Sequence, residues 1–286
     1  VTAAAFLTPD RIVGGTVIET EHPAGLLRFE HFRKGEWLTL KGEPAKKERR
    51  GYYLDGEPLD FSVSDIVGIF EKQALYWWHE DRGVRGGVRA ARLGELDGVP
   101  EEEWAERVRF LDLGADAARD EASERGQAIH AVFQGLANGQ PVDVEAFPPA
   151  WKMWLLGALR AWHALRPTPI ASEFLICHPE QGYAGRPDLY AMVDGARTLI
   201  DYKTGKGRIY AEAHWQTRGY AEAFPFCGLE PPERILIVGI DDQGGFAFED
   251  CDVEPEEWDS LVLVAKARKR VEARRAARRR AEKAAA

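Results

Sequence analysis

Cysteine is scarce: Cys177, Cys227 and Cys251 are the only three in 286 residues, and their spacing is wide and irregular. That excludes a disulfide framework and a four-thiolate metal cluster. Long hydrophobic runs are missing as well. The strongest, ILIVGI at residues 235–240, is far too short to cross a bilayer. No basic-then-apolar signal pattern opens the chain, so the sequence predicts a cytoplasmic protein with no membrane partner. There is no internal repeat, and no low-complexity linker apart from the tail.

An excess of positive charge is also lacking, since the formal net charge is -9. The average conceals an asymmetry along the chain. From residue 265 to 286 ten basic residues stand against Glu272 and Glu282, a net of +8, which leaves the rest at -17. A basic helical arm of this kind can grip phosphate by counterion release; a solvated Ala/Arg-rich helix, or a segment docking a partner protein, has the same composition. With 45% hydrophobic residues the body is long enough to bury one sizeable core or two small ones.

Residues 12–61 mix short apolar stretches with Gly, Pro and charge and read as strands and turns. Ser62 and Asp65 stand at capping-box spacing, which predicts a helix from about Ser64 to His79. Trp77 and Trp78 on it suit core packing, with base stacking as the alternative. The acidic stretch LGELDGVPEEEW reads as poorly ordered. A helix ending at Gly139 follows, then a second with Pro167 just past its end. IASEFLICH, GRPDLYAMV and RTLIDYKTG read as three strands, IYAEAHWQTRGYAEAF as a helix, RILIVGID and GFAFEDCDV as strands, and the chain closes on the basic helix. The expected class is α/β, with a core of helix, three strands, helix and strand. An N-terminal β-rich extension (1–61), a helical segment packed on the core (62–110), the core (111–254) and the C-terminal basic helix (255–286) divide the chain.

Within that core the stretch GRPDLYAMVDGARTLIDYKTGK, residues 185–206, sets Asp188, Asp201 and Lys203 into an otherwise apolar hairpin. Asp194-Gly195 suits a two-residue turn, which would place Asp188 directly opposite Asp201 with Cβ atoms about 5 Å apart. A four-residue loop would pair Asp188 with Lys203 instead. Either register keeps the three side chains on one face, because side chains alternate with period two. Opposed carboxylates repel unless something positive lies between them. Lys203 alone could serve; so could Mg2+ or Mn2+, which take hard oxygen ligands and leave positions open for water and phosphate.

Asp188 followed by Asp201-Tyr202-Lys203 resembles the PD-(D/E)xK nuclease superfamily, in particular its RecB-like, phage-type exonuclease branch. Gly126 and His130 in RGQAIHAVF are similar to that branch's Gly-x-x-x-His helix motif, and Gln216 and Tyr220 in QTRGY to its Gln-x-x-x-Tyr motif. Each pair is four apart and so shares a helical face. The element order agrees with the family's restriction-endonuclease-like core. The resemblance covers mainly residues 115–250; the SVSDIVGIFEKQAL helix is similar, less specifically, to the N-terminal segment of phage-type members.

The resemblance implies a metal-dependent DNA exonuclease acting in recombination, repair or phage replication. A structure-specific endonuclease, or a non-catalytic DNA-end or partner-binding protein on the same fold, stands as the alternative. His130, Asp188 and Asp201, with the carbonyl of Tyr202, would hold Mg2+ or Mn2+. Lys203 would orient the nucleophilic water or stabilise developing phosphorane charge, making Asp188, Asp201 and Lys203 the catalytic set. Gln216, Tyr220, Lys206 and Arg208 would contact the DNA backbone. Glu173 is a possible second acid, since in some branches an acid there lies beside the metals; a glutamate facing solvent at a strand end is the other reading. The four cysteines that hold an iron-sulfur cluster in related CRISPR-adaptation nucleases are missing, so no cluster is expected. Nor is there a Walker G-x-x-x-x-G-K-[ST] sequence, so unwinding would fall to another protein, and a recombination or replication partner could dock on the basic helix.

Overall fold

The structure is a computed structural model and describes residues 10–12, 15–32, 49–69, 73–205 and 207–285. It is mixed α/β. Five antiparallel strands come first, β1 (Asp10–Ile12), β2 (Gly15–His22), β3 (Gly25–Phe32), β4 (Arg49–Leu54) and β5 (Glu57–Pro58), paired in chain order. Leu27 and Phe29 alternate on one face of β3 and are buried with Ile18 and Tyr52. That face closes against Leu175, Cys177 and Ala184. The N-terminal sheet thus shares a core with the middle of the chain.

The expected capping box is present: Asp65 N donates to Ser62 Oγ at 3.0 Å and Ser62 N to Asp65 Oδ2 at 2.8 Å. The helix it starts is shorter than the apolar spacing predicts. α1 (Val63–Val67) ends at Gly68, whose N–H bonds the Ser64 carbonyl, and α2 (Gln73–Arg92) begins afresh. Glycine is a poor helix former, and α1 is held by its cap and its buried Val63, Ile66 and Val67 rather than by propagation. The side chains of Trp77 and Trp78 lie outside the described ones. The LGELDGVPEEEW stretch is folded, contrary to its acidic composition. Trp104 donates its indole N–H to the Val99 carbonyl at 2.9 Å, Arg107 pairs with Glu95, and α3 (Trp104–Phe110) packs Val108 on Ala90 and Leu96.

α4 (Ala115–Ala137) ends as expected, with Gly139 at φ +69°. α5 (Lys152–Leu165) follows. The main sheet is built from β7 (Thr168–Ser172), β10 (Leu189–Val193), β11 (Ala196–Lys203), β12 (Arg234–Ile240) and β13 (Phe246–Asp250), in the order β13-β12-β11-β10-β7. β11 and β12 are parallel, joined across the sheet by α6 (Ala211–Ala223). One face of the sheet packs on α4 and α5 through Ile129, Phe133, Leu155 and Ala158. The other packs on α1, α6 and the long C-terminal α7 (Pro255–Ala285).

Two of the three expected central strands are divided. IASEFLICH breaks at Glu173, which takes φ +49°, so that β8 (Ile176–His178) leaves for a second sheet. GRPDLYAMV breaks at Pro187, which has no N–H for a ladder: its Gly185 ends a separate strand, β9 (Tyr183–Gly185), and β10 starts only at Leu189. β9 pairs with β8 and, in parallel, with β6 (Phe61–Ser62). The third strand, β11, is continuous.

α7 is locked to α6 through a buried chain of hydrogen bonds, from Trp258 Nε1 to Tyr183 Oη at 3.2 Å and from Tyr183 Oη to the Gly219 carbonyl at 3.0 Å. A Cβ at Gly219 would run into the Trp258 indole. Gly219→Ala is therefore expected to lower the melting temperature by a few degrees: overpacking costs about 1–3 kcal/mol, while the gain in helix propensity is at most about 1 kcal/mol. A rise in thermal denaturation temperature would contradict this packing.

Candidate metal centre

The hairpin turn decides how the acids meet. Asp194 at φ +49° and Gly195 at φ +84° form the two-residue turn, with Val193 opposite Ala196 and Leu189 opposite Ile200. One further step in that register sets Asp188 against Asp201, as the shorter of the two possible loops requires. The ladder stops before Asp188. Its Oδ2 accepts the Tyr202 amide at 2.7 Å, and its carbonyl accepts the Glu173 amide at 3.0 Å. The breaks at Glu173 and Pro187 thus open the sheet where the two acids come together. N–H and C=O of one strand residue point to the same side, so the Tyr202 carbonyl faces this opening too.

α4 brings His130 across the opening, its Nδ1 3.2 Å from Asp188 Oδ1 and 4.0 Å from Glu173 Oε1. One turn earlier Gly126 lets α4 approach: a Cβ there would stand 3.2 Å from Thr204 Oγ1, just past β11. One donor atom from each of His130, Glu173 and Asp188 lies within 4.8 Å of the others. Glu173, the weaker candidate in the sequence, is in this group. Asp201 lies beside it, 2% exposed, with Oδ2 paired to Lys203 Nζ at 2.5 Å.

Charge and burial shape the protonation of the cluster. Burial works against the His130 imidazolium, but Asp188, Glu173 and Asp201 outweigh it and raise its pKa to about 9. Burial pushes the Glu173 carboxyl up to about 7 despite Arg186. Burial likewise lifts Asp201 to about 6 against the pull of Lys203. Burial opposes ionisation of Asp188 as well, yet His130, Lys203 and the Tyr202 amide prevail and hold it below the ordinary value. One imidazole nitrogen among the carboxylate oxygens of Glu173 and Asp188, with the buried Asp201 carboxylate beside them, is a donor set that fits Mg2+ or Mn2+.

Lys203 is held from two sides. Besides Asp201, it donates to Gln216 Oε1 at 3.0 Å, and Gln216 Nε2 donates to Tyr220 Oη at 2.7 Å. Tyr220 is 5% exposed. Gln216 is half-buried and Tyr220 lies behind it, so within the chain the pair braces the lysine from the helix face that packs on the sheet. Arg208 is exposed, and Lys206 lies outside the described residues.

Sequence reasoning missed Arg186. Its Nε pairs with Glu173 Oε2 at 2.7 Å, and its guanidinium lies over the Phe29 ring at 5.6 Å, so the N-terminal sheet reaches the cluster's edge. A cation two residues before Asp188 in an apolar hairpin was the available signal.

No family model matches the chain, and no curated protein does. Among solved structures, an alkaline exonuclease from Laribacter hongkongensis is similar at 14% identity and a TM-score of 0.32, covering 72% of this chain and 98% of that one. A likeness at that level does not bear on what this chain does. No helix among the described residues is long and apolar enough to cross a membrane.

Proposed function

We propose that this chain is a divalent-metal-dependent nuclease of the PD-(D/E)xK, RecB-like type that hydrolyses phosphodiester bonds of DNA as an exonuclease. The observation that carries the reading is the meeting of His130, Glu173 and Asp188 within 4.8 Å, beside a buried Asp201 paired with Lys203. A silent fold has no need for three carboxylates packed so closely.

Mg2+ or Mn2+, held by His130, Asp188 and Glu173 with Asp201 and the Tyr202 carbonyl beside them, would polarise the phosphoryl oxygen and help ionise a water. The chain's own residues do the rest. The Tyr202 amide fixes the Asp188 carboxylate, leaving Oδ1 toward the cluster. Asp201 and Gln216 occupy two of the Lys203 ammonium's three hydrogens, and the third is available to a phosphate oxygen or to the attacking water. Gln216 and Tyr220 set the direction of that ammonium. Arg186 is a positioning residue: it neutralises Glu173 and orients its carboxylate.

The test is digestion of end-labelled linear and covalently closed circular DNA, single- and double-stranded, with Mg2+ or Mn2+, beside Asp201→Ala. Metal-dependent loss of linear DNA alone, absent in the variant, is the expected result. Cut circles would make the enzyme an endonuclease, and no cutting in either metal would overturn the catalytic reading.

A further inference from the structure

α7 changes character along its length. Its first turns belong to the core, where Trp258, Val262 and Ala265 are buried. Its middle is strapped to the body: Arg268 donates to the Ile69 carbonyl at 3.1 Å, and Lys269 to Asp60 Oδ1 at 2.6 Å. Both cations are thereby committed within the chain. From Ala273 to Ala284 every residue is exposed. Among the described residues none of these twelve makes a hydrogen bond or ion pair with the body. At 1.5 Å per residue, residues 273–285 form a free rod about 20 Å long.

The rod carries Arg274, Arg275, Arg278, Arg279, Arg280 and Lys283 against Glu282, six cations to one acid, a net of +5 where the rest of the chain is -14. At 100° per residue, Arg274, Arg275, Arg278, Arg279 and Lys283 fall within one half of its circumference, and Ala273, Ala276, Ala277, Ala281 and Ala284 fill the other half with Arg280. The like charges at 274/278, 275/279 and 279/283 are spaced to repel one another. Glu282, three and four residues after Arg279 and Arg278, is the one acid set among them, so most of that repulsion stays within the rod.

We propose that this arm binds the phosphate backbone of duplex DNA as a second hold on the substrate, away from the metal centre. The inference rests on the nuclease reading for its choice of polyanion. A protein groove that takes up a helix requires large apolar anchors three or four residues apart, and a helix lying in a membrane surface requires a large apolar face. The largest apolar side chain in residues 273–285 is alanine. A backbone requires only cations along one face, and it releases counterions when they engage.

The experiment compares the full chain, a form ending at Glu272, and the variant Arg274→Gln, Arg275→Gln, Arg278→Gln, Arg279→Gln, Lys283→Gln, whose helix content is checked by circular dichroism. Binding to a short blunt duplex is measured in EDTA across a salt series, with metal-dependent cleavage followed separately. Losing five phosphate contacts is expected to flatten the slope of log K against log salt by about 4.5, with tighter binding by the full chain at low salt. Retained cleavage with unchanged affinity and slope would overturn the arm's role and leave the nuclease reading standing. Lost binding in a protein that never cleaves would uphold the arm and sink the nuclease reading. Arm-dependent self-association without DNA, seen by sedimentation, would also overturn the proposal, assigning the arm to the acidic body of a second copy.

Discussion

Lys203→Ala is expected to lower cleavage about a hundred- to a thousand-fold, the loss that follows removal of one charged group aimed at a developing oxyanion. The ammonium is positioned by Asp201 at 2.5 Å and Gln216 at 3.0 Å, so its charge is oriented before substrate arrives. The rate should suffer far more than the fold. Asp201 already carries a raised pKa and can take up a proton once its partner is gone, which relieves the buried charge. His130, Glu173 and Asp188 do not depend on Lys203 for their geometry, so the rise in melting temperature on adding Mg2+ should persist in the variant. Gln216→Ala supplies the graded control: the ammonium remains but loses one of its two guides, and cleavage should fall less. Undiminished cleavage by Lys203→Ala would sink the proposed role. Loss of the metal's effect along with activity would mean that the lysine supports the site instead of the chemistry.

Local chemistry made the hairpin legible. Asp194-Gly195 admits positive φ at both positions, and once that turn is fixed the register of Asp188 and Asp201 follows by counting. The Gly126/His130 and Gln216/Tyr220 pairs were legible in the same way, through helical spacing. What could not be read was tertiary. The left-handed turn at Glu173 has no local signal, since glutamate rarely adopts that conformation. It redirects β8 into another sheet and carries the Glu173 carboxylate toward His130, which is why the acid read as weaker stands in the donor group and Asp201 stands beside it. Pro187 did carry a warning, as proline seldom sits inside a paired strand. The tail's composition suits phosphate binding, a solvated helix or partner docking alike; what it could not give is where the helix leaves the body, which the tethers at Arg268 and Lys269 mark.

The stabilisation by Mg2+ is expected to grow as pH rises from about 5 to 9, and Asp188→Asn is expected to remove it. Without metal, three groups of the cluster hold protons more tightly folded than unfolded. His130 rises from 6.5 to about 9, Glu173 from 4.5 to about 7 and Asp201 from 3.8 to about 6. Each contributes stability that is complete below its unfolded pKa and is lost as pH climbs through its folded value, so the cluster weakens the metal-free fold progressively between about pH 4 and 9. Asp188 runs the other way, because its pKa is lowered: its contribution is present above 3.8 and lost only in acid. A divalent cation requires the opposite protonation, ionised carboxylates and a neutral imidazole, and its affinity therefore improves over the window in which the metal-free fold loses support. At one hundred times its dissociation constant a single bound ion adds about 2.7 kcal/mol. Thermal denaturation at several pH values, in EDTA and in saturating Mg2+, measures the difference directly. An increment that stays flat with pH, or one that Asp188→Asn retains, would mean that the ion binds somewhere other than among His130, Glu173 and Asp188.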